Sequence, residues 1–301
     1  MVTGVGGFIG SHVARRIVEE GHRVFGVDDF SSGYRENVPP GLELIVHDLA
    51  KRDIHRFLPE KCDVILHIAG QSSGEISFDD PVVDLEKNTV STLNLIRYGI
   101  SVGAQRLVYA SSMCVYGNAE DRPVREETDC HPLSCYGTGK LAAERYLSIY
   151  EEKLPYVAFR MFNVYGPGQD MANLRQGMVS IFLAQMLNGG NVHVKGSLER
   201  FRDFIFIDDV VEAWWRTTIS DRADGQVINL GTGQRTTVLA LLESMARHFP
   251  EATWFSRGQT PGDQPGICAD TSRLRSILGL DGLTNLNDGM DRFVAWAKDS
   301  T

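Results

Sequence analysis

Tyr136 and Lys140 are four positions apart, with Ser111-Ser112 upstream. On a helix, residues four apart share one face. A free tyrosine, with a pKa of about 10, is a poor base at neutral pH. A neighbouring ammonium and a positive nicotinamide would favour tyrosinate and bring the group toward the working pH, where a general base acts best. Ser112 can hydrogen-bond the same substrate hydroxyl. Ser112, Tyr136 and Lys140 therefore suit removing a proton from an alcohol whose carbon gives up hydride. Y-x-x-x-K spacing is also common on surface helices, so this chemistry requires a dinucleotide site elsewhere in the chain.

Such a site fits the segment Thr3-Gly4-Val5-Gly6-Gly7-Phe8-Ile9-Gly10. Gly4, Gly7 and Gly10 form G-x-x-G-x-x-G, which permits a tight turn, close approach of backbone to pyrophosphate, and close packing of helix on strand. A helix is predicted from Ser11 to Glu20, with Val13, Ala14, Ile17 and Val18 as its apolar stripe and Gly21 as its stop. Its N-terminus offers free N–H groups to an anion. A buried strand over Val24 to Val27 then ends at Asp28, 18 residues past Gly10. A carboxylate there accepts from the ribose hydroxyls and repels a 2′-phosphate, favouring NAD over NADP. Asp29, Ser31 and Ser32 belong to the same cofactor site, as do Phe8 and Ile9.

Apolar runs at Val64–Ala69, Leu107–Ala110 and Val157–Phe159 suit strands buried on both faces. Helical stretches between them imply an α/β, doubly wound parallel sheet. The 301 residues allow one large domain or two lobes. A net charge of −9 argues against duplex nucleic acid as a partner. No apolar run approaches the ~18 residues of a membrane span, and no leader is evident. Five cysteines without C-x-x-C spacing suggest neither zinc nor a disulfide framework, and so a reducing cytoplasm. Only three residues precede Gly4, fewer than a first strand of about five, so the start is expected to be truncated or preceded by residues before Met1.

Nearly the whole chain resembles the extended short-chain dehydrogenase/reductases, specifically the NAD-dependent nucleotide-sugar epimerase/dehydratase family. Thr3 to His12 is similar to its T-G-x-x-G-F-I-G-S-H signature, and Ser111 to Gly117 to its S-S-x-x-V-Y-G. The resemblance implies an adenine-side D-L motif at Asp48-Leu49 and a cofactor-passing segment at Ile68-Ala69-Gly70. It implies a cofactor-site Asn at Asn88, with Ser111 and Phe162 also at the cofactor. Asn163 would contact a sugar nucleotide, and Arg202 in Phe201-Arg202-Asp203-Phe204 its diphosphate. Ser73, Val179, Val192, His193, Val194, Asp263 and Ile267 complete the implied substrate site, with α-helix and strand flanking the uracil. The implied partner is a nucleotide sugar, UDP-linked in preference, and the family usually dimerises through two helices, here those around Asn88–Tyr98 and Tyr136.

Three reactions compete within this resemblance. A 4,6-dehydratase carries Asp-Glu after its catalytic Ser/Thr, where this chain has Met113-Cys114. A decarboxylase resembles the chain around Gly139-Lys140 but has an acidic neighbour after the tyrosine. A 4-epimerase needs only Ser112, Tyr136 and Lys140, and Phe162-Asn163 and Gly262-Asp263 also resemble it. The preferred reading is a UDP-hexose or UDP-N-acetylhexosamine 4-epimerase. Cys114 is read as a buried packing residue or, alternatively, as a thiol acid permitting an unusual dehydratase. A non-catalytic NAD-binding protein and a reductase of a non-sugar ketone are further alternatives. Ser72 replaces a lysine of some hexose epimerases, and Thr260 replaces a diphosphate arginine for which Arg257 could substitute. Ile267, intermediate in size, is read as admitting a C2 N-acetyl group.

The lobes are expected at 1–162 plus 204–235 (NAD) and 163–203 plus 236–301 (substrate). The smaller, interleaved lobe holds a loop over Met171–Gln176, a helix with Val179, Phe182, Leu183 and Met186 inward, and a strand over Val192–Lys195. Phe204–Ile207 and Val227–Leu230 are expected to return to the large sheet's side, and Trp214 and Trp215 to pack a helix.

Overall fold

Short apolar runs alternating with amphipathic helices build a parallel sheet covered on both faces. The computed structural model describes residues 1–119, 122–258 and 266–300. The chain runs β1 (Val2–Thr3), α1 (Phe8–Glu19), β2 (Phe25–Asp28), β3 (Glu43–Val46), β4 (Val64–His67), α2 (Pro81–Leu85), α3 (Ser91–Val102), β5 (Arg106–Ser112), α4 (Cys135–Ile149) and β6 (Tyr156–Met161). It continues through β7 (Asn163–Tyr165), α5 (Met178–Leu187), β8 (Asn191–Val194), β9 (Phe201–Arg202), β10 (Phe204–Phe206), α6 (Ile207–Ile219), β11 (Gln226–Leu230), β12 (Thr236–Thr237), α7 (Val238–Ala246), β13 (Thr253–Ser256), α8 (Ser272–Leu278) and α9 (Leu286–Asp299). A π-turn over Glu86–Val90 joins α2 to α3.

Seven strands form the main sheet in the order β11-β6-β5-β4-β1-β2-β3, parallel throughout. The order reverses between β1 and β4, and ligands bind such sheets in the crevice at that switch point, beyond the strands' C-terminal ends. On one face Val13, Ala14 and Ile17 of α1 and Trp214 of α6 pack on Val108 and Phe159. On the other, Leu95 and Ile96 of α3 and Ala143 and Leu147 of α4 pack on Ile65 and Leu107. A further core, with Phe182, Leu183, Leu241 and Phe293, unites α5, α7 and α9. The Trp214 and Phe159 rings lie 5.5 Å apart and tilted by 51°, the packing role expected of Trp214.

The start of α1 shifts, and one strand pairs outside the main sheet. α1 begins at Phe8, three residues before the predicted start, because Gly7 itself takes the extended cap conformation. Val227–Leu230 does join the main sheet against β6, but Phe204–Phe206 does not. The Phe162 amide still donates to Leu230 O, whereas the next amide, of Asn163, donates to Asp203 O. The chain thus changes partners there, and β10 pairs with β7 in a separate two-stranded sheet. β1 spans two residues yet pairs on both sides, Val2 with Gly26 and Leu66. No helix among the described residues is long and apolar enough to cross a membrane.

Candidate active site

A cavity of about 1110 Å³ opens over the switch point and reaches from the glycine segment to α5 and β8. At one end the backbone is packed too tightly for side chains. A Cβ on Gly10 would lie 2.0 Å from Gly4 O, and one on Gly4, at φ +75°, 2.9 Å from the Ala69 amide nitrogen. No described side chain caps α1, whose first residues Phe8, Ile9 and Gly10 line the cavity beside Gly4 and Gly7. Uncapped N–H groups at a helix start suit a phosphate. Asp28 ends β2, buried, and accepts from Gly6 N and Phe30 N at 2.8 Å each. The carboxylate is thereby fixed by the glycine turn, with lone pairs left for ribose hydroxyls.

Asp29, Ser31, Ser32, Asp48, Leu49, Ile68, Ala69, Gly70, Ser111 and Phe162 line the same cavity, so most of the cofactor residues read from the sequence converge. These groups fit a dinucleotide. Lys87, which the sequence reading missed, is hydrogen-bonded to Asp29 and lies 3.2 Å from Asp48. Its partner Asp29 is 58 residues away, so no local motif marks it. Asn88, by contrast, is fully buried and does not line the cavity; its side chain donates to Asp84.

At the chemical end, Ser112 closes β5 and Tyr136 stands in the first turn of α4, capped by Ser134 through Gly137 N at 3.1 Å. The Lys140 ammonium lies 5.7 Å from the Tyr136 ring and 5.0 Å from that of Tyr109. Burial pushes the Tyr136 phenol up, Cys114 adds to this, and Ser112 opposes it. This differs from the expected lowering, because enclosure of the ring outweighs its polar neighbours. Burial takes Lys140 down to about 8, against the pull of Asp84. The protein's own groups therefore favour a neutral phenol. The Lys140 ammonium and a bound, positive nicotinamide would be the sources of stabilisation for a tyrosinate.

Cys114 lines this part of the cavity and is only partly buried, so it is not a core packing residue. Its amide donates to Ser112 Oγ at 3.2 Å. Behind the trio, Glu144 of α4 pairs with Arg160 of β6 at 2.7 Å and hydrogen-bonds Ser111 of β5, clamping the helix to the sheet.

On the substrate side Ser73, Asn163, Val179, His193 and Arg202 line the cavity. Val192 and Val194 do not. Strand alternation turns both into the lobe's core and leaves His193 facing the opening. Ile267 is likewise corrected: it is fully buried against Val115, Tyr116 and Phe162. Asp263, with Thr260 and Gly262, lies outside the described residues. Arg257 is exposed at the end of β13 and does not line the cavity. At the mouth, Arg175 meets Asp79 at 2.7 Å and Glu75 at 3.5 Å, and Lys195 meets Glu75 at 3.4 Å. These pairs span 96 to 120 residues of chain and had no sequence signal. The described residues contain no cluster able to hold a metal ion.

The arrangement finds counterparts among known proteins. The sequence profile of the NAD dependent epimerase/dehydratase family matches residues 1–231. The chain is similar to a UDP-glucose 4-epimerase of Mycolicibacterium smegmatis, 34% identical over all of this chain and 99% of that one. It superposes on a UDP-glucose 4-epimerase of Thermotoga maritima solved with UDP-glucose, with TM-score 0.94, 31% identity and coverage of 99% and 98% of the two chains. A Thermus thermophilus UDP-glucose 4-epimerase in complex with NAD superposes with TM-score 0.92 and 30% identity, covering 100% and 99%.

Proposed function

Because the chain belongs to the NAD-dependent epimerase/dehydratase family, we propose that it is a 4-epimerase of a UDP-hexose or UDP-N-acetylhexosamine. The observation that carries this reading is the meeting of Ser112, Tyr136 and Lys140 on one cavity wall with no carboxylic acid at Met113-Cys114. The cofactor supplies a reversible hydride acceptor. Ser112 holds the C4 hydroxyl, Tyr136 takes its proton, and Lys140 supplies the positive charge beside the phenol. After the 4-keto sugar turns over, hydride would return to the opposite face of C4 while Tyr136 gives its proton back to the C4 oxygen. Arg202 and Asn163 hold the nucleotide diphosphate, and the ion pairs of Arg175 and Lys195 border the mouth.

The partial exposure of Cys114 beside Tyr136 supports a second reading, a dehydratase using the thiol as acid. Exposed Tyr146 and Ile149 on α4, at 38% and 71%, support a homodimer through the helices around Asn88–Tyr98 and Tyr136. The five cysteines form no disulfide among the described residues, in keeping with a cytoplasmic setting.

Incubation of the purified protein with UDP-glucose, UDP-N-acetylglucosamine and UDP-glucuronate, without added reductant, tests the assignment by NMR and mass spectrometry. Interconversion at C4 without change of mass supports the epimerase. Loss of water supports the second reading, and loss of carbon dioxide overturns both.

A further inference from the structure

Asp84, Asn88 and Tyr109 have no role in the reaction as described, and none of them lines the cavity. All three are buried, at 2%, 0% and 0% exposure. Asp84 Oδ1 accepts from Gln71 Nε2 at 2.7 Å and from Asn88 Nδ2 at 3.1 Å. Asp84 Oδ2 and Asn88 Oδ1 have no hydrogen-bond partner among the described residues. Leaving a carboxylate oxygen buried and unpaired is costly unless an opposite charge lies nearby.

The opposite charge is Lys140. A Cβ on Gly70 would sit 2.5 Å from Asn88 Oδ1 and 3.2 Å from Lys140 Nζ, and one on Gly139 would sit 3.5 Å from Asp84 Oδ2. The ammonium, the amide oxygen and the carboxylate thus crowd the packing site between these two glycines. Other groups facing Lys140 offer no negative charge at neutral pH. His67 of β4 is held neutral by burial, at about 3. Tyr109 of β5 and Tyr136 of α4 are both pushed up by burial. Glu144, one turn along α4, is already engaged by Arg160 and Ser111.

We propose that Asp84 is a positioning residue of this site, the buried counter-charge of the Lys140 ammonium. It acts through space, with no direct ion pair to Lys140 among the described residues, and so leaves the ammonium free to face Tyr136. The bonds from Gln71 and Asn88 hold the carboxylate in place and favour its ionised form against the upward push of burial. The inference rests on reading Tyr136 and Lys140 as the catalytic pair, but the charge relationship can be read without substrate.

The test is an NMR titration of the NAD-containing protein labelled with ¹³C at lysine Cε, with the Lys140 signal identified by its loss in K140M. The expected midpoint is about 8 in the parent. In D84N it should fall by about one pH unit or more, the size of effect an opposite charge produces at close range. In D84E, which keeps the charge, it should stay within a few tenths. N88D, which adds a negative charge at the same packing site, should move it upward. If D84N does not fold, D84E and N88D still decide the matter. A midpoint unmoved in D84N, or unmoved in N88D, overturns the proposal. Where turnover is measurable, the high-pH limb of kcat/KM should follow the same order, whereas a merely structural role would lower the rate at every pH alike. Failure of the epimerase assignment alone would leave the NMR midpoints as predicted.

Discussion

Tyr136 and Lys140 stand one turn apart on α4 with the ammonium 5.7 Å from the phenol ring, and both are almost wholly buried. Enclosure makes the pair sensitive. It raises the phenol and lowers the ammonium, so small changes around either group should have large effects on rate.

Tyr136→Phe should lower kcat by about a hundred- to ten-thousand-fold, the usual contribution of a positioned general base. The glycine segment and Asp28 are untouched by this change, so NAD content after purification should equal that of the parent. Turnover within tenfold of the parent would show that another group moves the proton.

Cys114→Ser separates the two readings of the reaction. An epimerase should retain activity within about threefold, since the bond from the residue's amide to Ser112 is kept. A dehydratase dependent on the thiol should lose its product altogether, as followed by NMR.

Gly10→Ala and Gly7→Ala should differ in kind. The first places a methyl 2.0 Å from Gly4 O and the second 3.3 Å from the same atom. Gly10→Ala should abolish retention of NAD, whereas Gly7→Ala should weaken it and leave a folded protein. Absorbance and fluorescence of released dinucleotide would measure both.

Acid stability should carry the signature of His67. Fully buried, it bonds Thr3 Oγ1 at 2.9 Å and Thr92 Oγ1 at 3.1 Å and is held at about 3, below its usual value. The unfolded chain therefore binds this proton first. The stabilisation is complete above about 6.5 and is lost as pH falls from there toward 3. It amounts to about 5 kcal/mol in order of magnitude. Denaturant unfolding of His67→Gln should show a shallower fall over that window than the parent does.

The Glu144–Arg160 pair should be costly to break singly. Both side chains are at most 5% exposed. Glu144→Ala or Arg160→Ala should each destabilise by about 3–5 kcal/mol, because a buried charge is left alone. A double change to apolar residues of similar size should cost much less, which chemical denaturation of the three variants would check.

Several features were legible in the sequence because they are local. The glycine segment specifies its own backbone and helix start. Asp28 follows at a distance set by one βαβ unit, and Tyr136 and Lys140 need only a helix to share a face. Strand periodicity also conveyed the apolar layers of the main sheet. What the tertiary structure decided depends on contacts between distant segments. Only the meeting of α2, β4 and α4 puts Asp84 near Lys140, and only the switch of partners at Phe162 sends Phe204–Phe206 out of the main sheet. Period-two alternation could say that Val192, His193 and Val194 face two ways, but only packing on α5 decided that His193 faces the cavity. Lys87, Arg175 and Lys195 belong to the site through ion pairs, and nothing in a side chain's neighbours along the chain reveals which carboxylate it will meet across a cavity.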